Sequence, residues 1–450
     1  MRILIKNATI VNEGRKFCGS VLTDGETISD IFEGKDTTPE AIESSADRVI
    51  DAWDKTLIPG VIDEHVHFRE PGLTDKADIW HESRAAVKGG TTSFMDMPNT
   101  KPQTTTLHDV EDKISRAEKD SVANYAFYLG LTNENIDEAT STDTDLICGL
   151  KLFLGSSTGN MLVNDPALLD RLMRNTKRLI AVHSEDENTI RRNTEAVKAE
   201  YAGREVPIRM HPVIRSEEAC YIATKQITQA AREREARLHV MHMSTRKELE
   251  LFDEGKAADK LVTAETCPQY LMLNDTMYDT LGARMKCNPA IKTAADQNAL
   301  IEALGTGLID TIGTDHAPHL LASKEGDCLK AASGTPEIEY GLLLELELVE
   351  EGKARIEDIV TKTSHNVADI YRISQRGYIR KGYFADLVLI AKDEWTITNS
   401  DVIGKCGWTP YDGKKLHNKV EMTMVNGNVA YENGTINDCH GKLLNFKRET

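Results

Sequence analysis

An apolar run with a polar end stands between positions 57 and 72, as Leu57-Ile58-Pro59-Gly60-Val61-Ile62-Asp63-Glu64-His65-Val66-His67-Phe68-Arg69-Glu70-Pro71-Gly72. The apolar part, residues 57–63, predicts a buried strand, and Pro71-Gly72 predicts a loop after it. Because side chains two residues apart in a strand face the same side, His65 and His67 can converge on one metal ion, and Arg69 continues their row. A buried strand with two hydrogen-bonded histidines is the alternative, so a metal site requires partners elsewhere in the chain.

The same theme recurs through the middle of the chain, where short apolar strands end in polar residues and helical stretches follow. The predicted strands are 57–67, 91–99, 124–132, 146–153, 179–185, 238–244, 261–267 and 310–317. The predicted helices between them include 76–88, 107–119, 186–202, 217–234 and 246–254. This alternation favours a parallel sheet covered on both faces. Eight units over roughly 260 residues fit a closed (β/α)8 barrel of the TIM type better than an open doubly wound sheet.

Both ends of the chain show a different pattern, in which short strand-like runs are divided by glycine and aspartate. Asn426-Gly427 stands between two alternating runs and predicts a hairpin. We therefore predict a small composite β-sandwich domain built from residues 1–56 and 377–450. The remaining residues, 57–376, form the predicted barrel domain.

Charge and composition exclude several classes of partner. The chain has 54 Lys+Arg against 72 Asp+Glu, a net charge of -18, which repels phosphate backbones and argues against nucleic acid. No segment approaches the roughly 18 apolar residues of a membrane helix, and the first residues lack the apolar run of a signal peptide. The eight cysteines are scattered without a Cys-x-x-Cys pair, so neither a disulfide framework nor a zinc ribbon is predicted. A cytoplasmic location is therefore expected.

Candidate metal ligands stand at the ends of the predicted strands, where barrels of this kind carry their chemistry. They are His65, His67, Lys151, His183, His242 and Asp315. The four histidines and one carboxylate exceed what one tetrahedral zinc ion takes, which indicates two metals about 3.5–4 Å apart. Lys151 has two interpretations. An ammonium there would repel the metals and belong to a salt bridge, whereas a carbamate formed with carbon dioxide would offer an anionic oxygen to each metal.

These motifs resemble those of the cyclic amidohydrolases. Residues 59–72 are similar to the signature of that superfamily, and residues 149–153, Gly-Leu-Lys-Leu-Phe, resemble its strand with a carboxylated lysine. His183, His242 and Asp315 match its other ligand motifs in order. The resemblance implies two divalent metal ions, with zinc favoured, and Lys151 as N6-carboxylysine.

Within the superfamily the likeness is greatest to the dihydroorotases, and it covers nearly the whole chain. It implies that Arg69 and Asn99, the latter in Met97-Pro98-Asn99-Thr100, hold a substrate carboxylate. Asn288 and His319 match further substrate-contacting positions. The planar fork of an arginine suits a carboxylate, because its N–H groups match two oxygens.

Two positions depart from the family pattern without touching a metal ligand. Gln269 stands where relatives usually carry His. Pro289-Ala290 stands where they usually carry two consecutive prolines. Two further histidines are interpreted as structural residues and not as metal ligands. His239, three residues before His242, is expected on the opposite face of its strand, and His316 is expected to face the barrel wall.

The resemblance implies reversible cyclisation of N-carbamoyl-L-aspartate to L-dihydroorotate in de novo pyrimidine biosynthesis. A metal-bridged hydroxide would attack the ring carbonyl, and Asp315 would act as general acid/base. The small residues of 155–160 suit a mobile loop that covers the site. The expected partner is a small anionic substrate, with no nucleic acid and no membrane, and the chain is expected to form a homo-oligomer.

Two alternatives remain open. Another cyclic amidase, such as an allantoinase, dihydropyrimidinase or hydantoinase, acts on substrates that lack the carboxylate, so Arg69 and Asn99 together argue against it. The second alternative is a non-catalytic scaffold of the same fold that has lost its metals, although all six ligand candidates are present here.

Overall fold

The structure is a computed structural model that describes residues 1–141, 144–155, 161–163 and 165–447. The loop predicted to cover the site, 155–160, lies outside the described residues except for Gly155. In chain order the described strands are β1 (Ile3–Asn12), β2 (Arg15–Asp24), β3 (Thr27–Glu33), β4 (Arg48–Asp51), β5 (Thr56–Pro59), β6 (Val61–Val66), β7 (Thr91–Asp96), β8 (Asn124–Gly130), β9 (Ile147–Phe153), β10 (Ile180–His183), β11 (Leu238–Val240), β12 (Val262–Thr266), β13 (Thr311–Ile312), β14 (Leu387–Thr396), β15 (Lys415–Val425), β16 (Asn428–Glu432) and β17 (Thr435–Ile436).

Strands β6 to β13 form one parallel sheet in chain order, which confirms the predicted eight-stranded barrel. A parallel bridge joins Val66 to His316, and the backbone N–H of His67 donates to the carbonyl of His316 (2.8 Å). The end of the last strand therefore returns to the end of the first. Apolar side chains such as Ile62, Met95 and Ala181 pack inside the barrel.

Helices lie between the barrel strands and beyond them. They are α1 (Glu40–Ser45), α2 (Ile79–Lys88), α3 (Leu107–Asp120), α4 (Ile136–Ser141), α5 (Pro166–Asn175), α6 (Glu187–Tyr201), α7 (His211–Ile214), α8 (Glu217–Glu233), α9 (Pro268–Met272), α10 (Tyr278–Leu281), α11 (Ala294–Ala303), α12 (Gly341–Glu350), α13 (Ile356–Val360) and α14 (Asn366–Ile370). The helix predicted at 246–254 is only a short 3-10 helix, Lys247–Leu251. None of the described helices is both long and apolar enough to cross a membrane.

The two ends of the chain form a separate mixed sheet, as the sequence predicts. Its strand order is β17-β16-β15-β14-β5-β1-β2-β3, with β4 beside β1. The predicted hairpin is confirmed, since β15 and β16 are antiparallel and are joined by Asn426 (φ 49°) and Gly427 (φ 73°). Two consecutive residues with positive φ are what a two-residue turn of this kind requires.

The apolar run 57–63 is divided between the two sheets, so the prediction of a single strand there is wrong. Strand β5 pairs with β1 and β14 of the terminal sheet, and the barrel sheet begins only at Val61. Gly60 separates them. A Cβ atom on Gly60 would lie 2.1 Å from Oγ1 of Thr92, so any larger residue would force the Thr92 side chain or the backbone to shift.

Candidate metal centre and substrate pocket

All ten residues predicted for the site line one cavity of about 340 Å³ at the carboxyl ends of the barrel strands. They are His65, His67, Arg69, Asn99, Lys151, His183, His242, Asn288, Asp315 and His319. The sequence analysis did not identify Phe153, Arg215, Ala317 and the segment 332–334, which complete the lining.

The backbone turns sharply where several of these side chains enter the cavity. Arg69, His242 and Asp315 have positive φ values of 66°, 45° and 46°, a conformation that L-residues seldom adopt. The carboxylate of Asp63 ties two of the turns together, because it accepts hydrogen bonds from the backbone N–H groups of His65 (3.1 Å) and Thr314 (3.0 Å). The first and last strand ends are thus held in a fixed relation.

His65, His67 and Asp315 form one half of the candidate metal centre. The Nε2 atoms of His65 and His67 lie 3.3 and 3.1 Å from Oδ1 of Asp315. The other ring nitrogens have partners of their own, since Nδ1 of His65 lies 2.7 Å from Glu265 Oε1 and Nδ1 of His67 lies 2.8 Å from Asn99 Oδ1. Partners of this kind orient metal-ligating imidazoles and leave the second nitrogen for the metal.

His183, His242 and Lys151 form the other half. Nδ1 of His183 lies 2.8 Å from Nε2 of His242, and the opposite nitrogen of His183 contacts Glu185 (3.0 Å). The Lys151 side chain is buried, and among the described residues its Nζ donates to the thioether sulfur of Met241 (2.7 Å). Burial lowers the pKa of Lys151 to about 8, although the charges of Glu265 and Asp315 act in the opposite direction.

The donor set fits a pair of divalent cations. Burial lowers the pKa of all four imidazoles (His65, His67, His183 and His242) below the usual value, so each ring is neutral and offers a lone pair. Neighbouring rings lie with centroids 4.6–5.6 Å apart. Four neutral imidazoles and one carboxylate in so small a volume are ligand types that zinc takes in proteins.

Arg69 and His319 form the charged end of the cavity. Nε of Arg69 donates to the carbonyl of Pro318 (3.2 Å), and Nη2 donates to Nε2 of His319 (3.3 Å). Burial lowers the pKa of Arg69 to about 10, which leaves it protonated at neutral pH. Burial, followed by the charge of Arg69, lowers the pKa of His319 to about 2, so the imidazole is neutral. The hydrogen bonds of the Arg69 guanidinium, to a carbonyl and to a neutral imidazole, therefore do not neutralise its charge.

Comparison with known proteins agrees with this arrangement. The model of the amidohydrolase family matches residues 56–430. The chain belongs to the amidohydrolase family. It is 31% identical over 405 residues to a dihydroorotase of Methanosphaera stadtmanae, covering 89% of this chain and 91% of that protein. It is 32% identical over 429 residues to a dihydroorotase of Halobacterium salinarum, covering 94% and 98%.

Solved structures similar to this amidohydrolase include two cyclic amidases. An L-hydantoinase (dihydropyrimidinase) from Arthrobacter aurescens has a TM-score of 0.91 at 26% identity, with 98% of this chain and 99% of that chain covered. A dihydropyrimidinase from Brevibacillus agri has a TM-score of 0.87 at 26% identity, with both chains fully covered.

Arg215 is the charged residue of this amidohydrolase that sequence reasoning missed. It reaches the cavity from the segment between α7 and α8, and its Nη1 donates to the carboxylate of Glu185. Burial alone would raise the pKa of Glu185, but Arg215 and His183 hold it at about 2. Glu185 stands two residues after the predicted ligand His183, so the sequence could indicate that a buried cation must pair with it. Nothing in the sequence identifies Arg215 as that cation.

The remaining predicted positions need one correction. His239 does not lie on the opposite face, because it contacts Glu64 of β6 across the barrel interior (3.8 Å). Strand β11 ends at Val240 and His242 has φ 45°, so the strand alternation does not extend to His242. His316 faces the barrel wall, where its Nε2 lies 3.0 Å from Glu82.

Proposed function

We propose that this amidohydrolase is a dihydroorotase, which interconverts N-carbamoyl-L-aspartate and L-dihydroorotate in de novo pyrimidine biosynthesis. One observation carries the proposal: a buried guanidinium, Arg69, faces the cavity of the metal-ligand cluster with a carbonyl and a neutral imidazole as its hydrogen-bond partners. A substrate carboxylate would supply the missing negative charge. Hydantoins and dihydrouracil have no such group.

The substrate-binding end works by charge and hydrogen-bond geometry. Arg69 presents a planar fork to two carboxylate oxygens, and His319 and Asn99 lie beside it. Asn288 offers an amide whose Oδ1 has no hydrogen-bond partner among the described residues. An acceptor left free at a cavity wall suits a ring N–H. Local positive charge is needed because the chain as a whole carries -18.

The six ligand candidates would hold two divalent metal ions, with zinc favoured. When bound, the metals would polarise the scissile carbonyl and provide a water of lowered pKa at neutral pH. We propose that Lys151 is an N6-carboxylysine whose carbamate oxygens would help to hold them. Its support is the lowered pKa of a buried amine, because the neutral amine is the form that combines with carbon dioxide.

Asp315 is the proposed general acid/base. Burial raises the pKa of its carboxyl group, although the neighbouring His65 and Lys151 oppose this effect. Its Oδ1 lies 3.3 and 3.1 Å from Nε2 of His65 and His67, so the carboxylate stands within the ligand cluster, beside the place where the attacking water would be held. In hydrolysis Asp315 takes a proton from the attacking water and delivers it to the ring nitrogen as the C–N bond breaks. Cyclisation follows the same steps in reverse.

Two further properties belong to the proposal. All eight cysteines are free thiols in the structure, which supports a reducing, cytoplasmic compartment. The homo-oligomeric state rests on family resemblance alone, and sedimentation of the purified protein tests it.

A hydantoinase is the second candidate function, because the backbone of the Arthrobacter aurescens enzyme matches this chain with a TM-score of 0.91. Parallel assays of the zinc-loaded protein on L-dihydroorotate, N-carbamoyl-L-aspartate, hydantoin, dihydrouracil and allantoin separate the two. We expect the highest kcat/KM for the carboxylated pair. A higher value for any of the three uncarboxylated substrates would refute the dihydroorotase proposal.

A further inference from the structure

Below the catalytic cavity the barrel interior contains a second polar cluster, made of Glu64, His239 and Glu265 and named here the inner cluster. All three side chains are fully buried, and they come from β6, β11 and β12. Nε2 of His239 lies 3.8 Å from Glu64 Oε1 and 3.9 Å from Glu265 Oε2. None of these residues lines the catalytic cavity.

The carboxylates of the inner cluster lack partners. Both carboxylate oxygens of Glu64 lack a hydrogen-bond partner in the part of the chain that is described. The same is true of Oε2 of Glu265. Burying such groups unpaired is costly, and two carboxylates facing one another repel. The catalytic machinery does not explain Glu64, because its side chain points into the barrel interior, away from His65. A cation bound among these three oxygens and the imidazole would offset that cost.

The geometry suits a cation better than direct hydrogen bonds. Separations of 3.8 and 3.9 Å are too long for a hydrogen bond, yet shorter than about 4.2 Å, twice a typical zinc–ligand distance. One donor atom from each of the three residues lies within 4.8 Å of the other two. The hydroxyl of Thr311, 3.4 Å from His239 Nε2, adds an oxygen to the same space.

His239 is oriented as a ligand would be. Its Nδ1 lies 2.8 Å from Oγ1 of Thr263, whose hydroxyl in turn donates to the carbonyl of Leu238 (3.3 Å). With the hydroxyl proton on that carbonyl, Nδ1 would carry the ring proton. Nε2 then presents a lone pair towards the two glutamates, the arrangement in which ligating histidines are held.

We propose that the inner cluster binds a third divalent cation, coordinated by Glu64, His239 and Glu265. Binding of the cation would ionise both carboxyl groups, which would then balance its charge, and two oxygens with one imidazole nitrogen match zinc. Glu265 links the cation to the catalytic centre, because its Oε1 contacts Nδ1 of His65 while its Oε2 faces the inner cluster. The cation would fix the carboxylate that orients His65. The inference goes beyond the proposed function and holds for any substrate.

Anomalous diffraction from wild-type crystals grown with zinc locates the cation directly. Data collected on both sides of the zinc edge should show a peak between Glu64, His239 and Glu265, in addition to peaks at the catalytic ligands. Catalytic peaks without an inner peak overturn the inference and leave the proposed function intact. An inner peak without catalytic peaks would count against the binuclear centre instead.

Metal content of variants gives an independent measurement. Glu64→Gln removes the charge with little change of shape, and Glu345→Gln is the matched control. Glu345 lies on α12, is 2% exposed and also has an unpartnered oxygen, Oε2, but does not belong to the inner cluster. After equilibration with zinc and gel filtration, Glu64→Gln should hold one equivalent less than both the wild type and Glu345→Gln. Equal metal content in the three proteins overturns the inference. If Glu64→Gln does not fold, the diffraction experiment decides alone.

Discussion

Nη2 of Arg69 lies 3.3 Å from Nε2 of His319, so a permanently charged guanidinium has a neutral imidazole as its neighbour. The imidazole stays neutral because burial and the charge of Arg69 both disfavour its protonation and lower its pKa to about 2. A neutral acceptor orients the guanidinium without cancelling its charge. The pair is therefore a site for an anion rather than an internal salt bridge.

Replacing Arg69 with alanine tests this assignment. Losing one partner of a buried charged pair typically costs about 2–5 kcal/mol, which corresponds to roughly thirty-fold to several thousand-fold in kcat/KM. We expect a fall of this size for N-carbamoyl-L-aspartate. The matched control is Arg192→Ala, at an exposed arginine on α6 that pairs with Glu218, and we expect it to leave the kinetics unchanged. Unchanged kinetics for Arg69→Ala itself would remove Arg69 from the carboxylate site.

Lys151 should control reconstitution of the metal centre in a pH-dependent manner. Its pKa is lowered to about 8 by burial, so the neutral amine that combines with carbon dioxide grows as pH rises through this value. For metal-free protein given zinc at a fixed concentration of dissolved carbon dioxide, recovery of activity should be faster at pH 9 than at pH 6. Recovery that is independent of carbon dioxide would contradict the carbamate. Lys151→Met, which keeps the length but cannot form a carbamate, should not recover at either pH.

The sequence predicts those features of the structure that depend on residues close together in the chain. It does not predict features that depend on contacts between distant segments. The eight strands and the ligands at their ends follow from patterns within single segments, such as His65-Val66-His67. The break at Gly60 could not be predicted, because the two halves of the run pair with strands of different sheets that lie far apart in the sequence. Likewise, the partnership of Arg215 with Glu185 joins two segments that no local periodicity relates. His239 was misplaced because strand alternation was extended past the end of β11.

The division of the apolar run at Gly60 makes a stability prediction. In Gly60→Ala the new Cβ would lie 2.1 Å from Oγ1 of Thr92, and both residues are buried at the junction of the two sheets. Overpacking of this kind typically costs about 1–3 kcal/mol. Gly305→Ala is the control, since the nearest atom to its Cβ is a carbonyl oxygen at 3.8 Å. Urea unfolding should show a lower free energy of unfolding only for Gly60→Ala. Equal values for the two variants would mean that the junction relaxes without cost.

The ion pair between Arg215 and Glu185 is buried, so breaking it should lower the free energy of unfolding more than breaking an exposed ion pair. Arg215→Met leaves the fully buried carboxylate of Glu185 without its main counter-charge, which typically costs about 3–5 kcal/mol. The exposed pair Arg192–Glu218 provides the control, because Arg192→Met should cost at most about 1 kcal/mol. Free energies of unfolding measured in urea at pH 7 compare the two.

The ion pair between Arg215 and Glu185 also determines how the free energy of unfolding changes at low pH. The pKa of Glu185 is about 2, below its usual value of 4.5, so its ionised form stabilises the fold above pH 4.5. This contribution is lost as pH falls from 4.5 towards 2. In Arg215→Met the opposing effect of burial dominates, the pKa of Glu185 rises, and the loss should begin at higher pH. Parallel acid-unfolding curves for the wild type and Arg215→Met, displaced by a constant free energy between pH 7 and 3, would show that Arg215 does not set the pKa of Glu185.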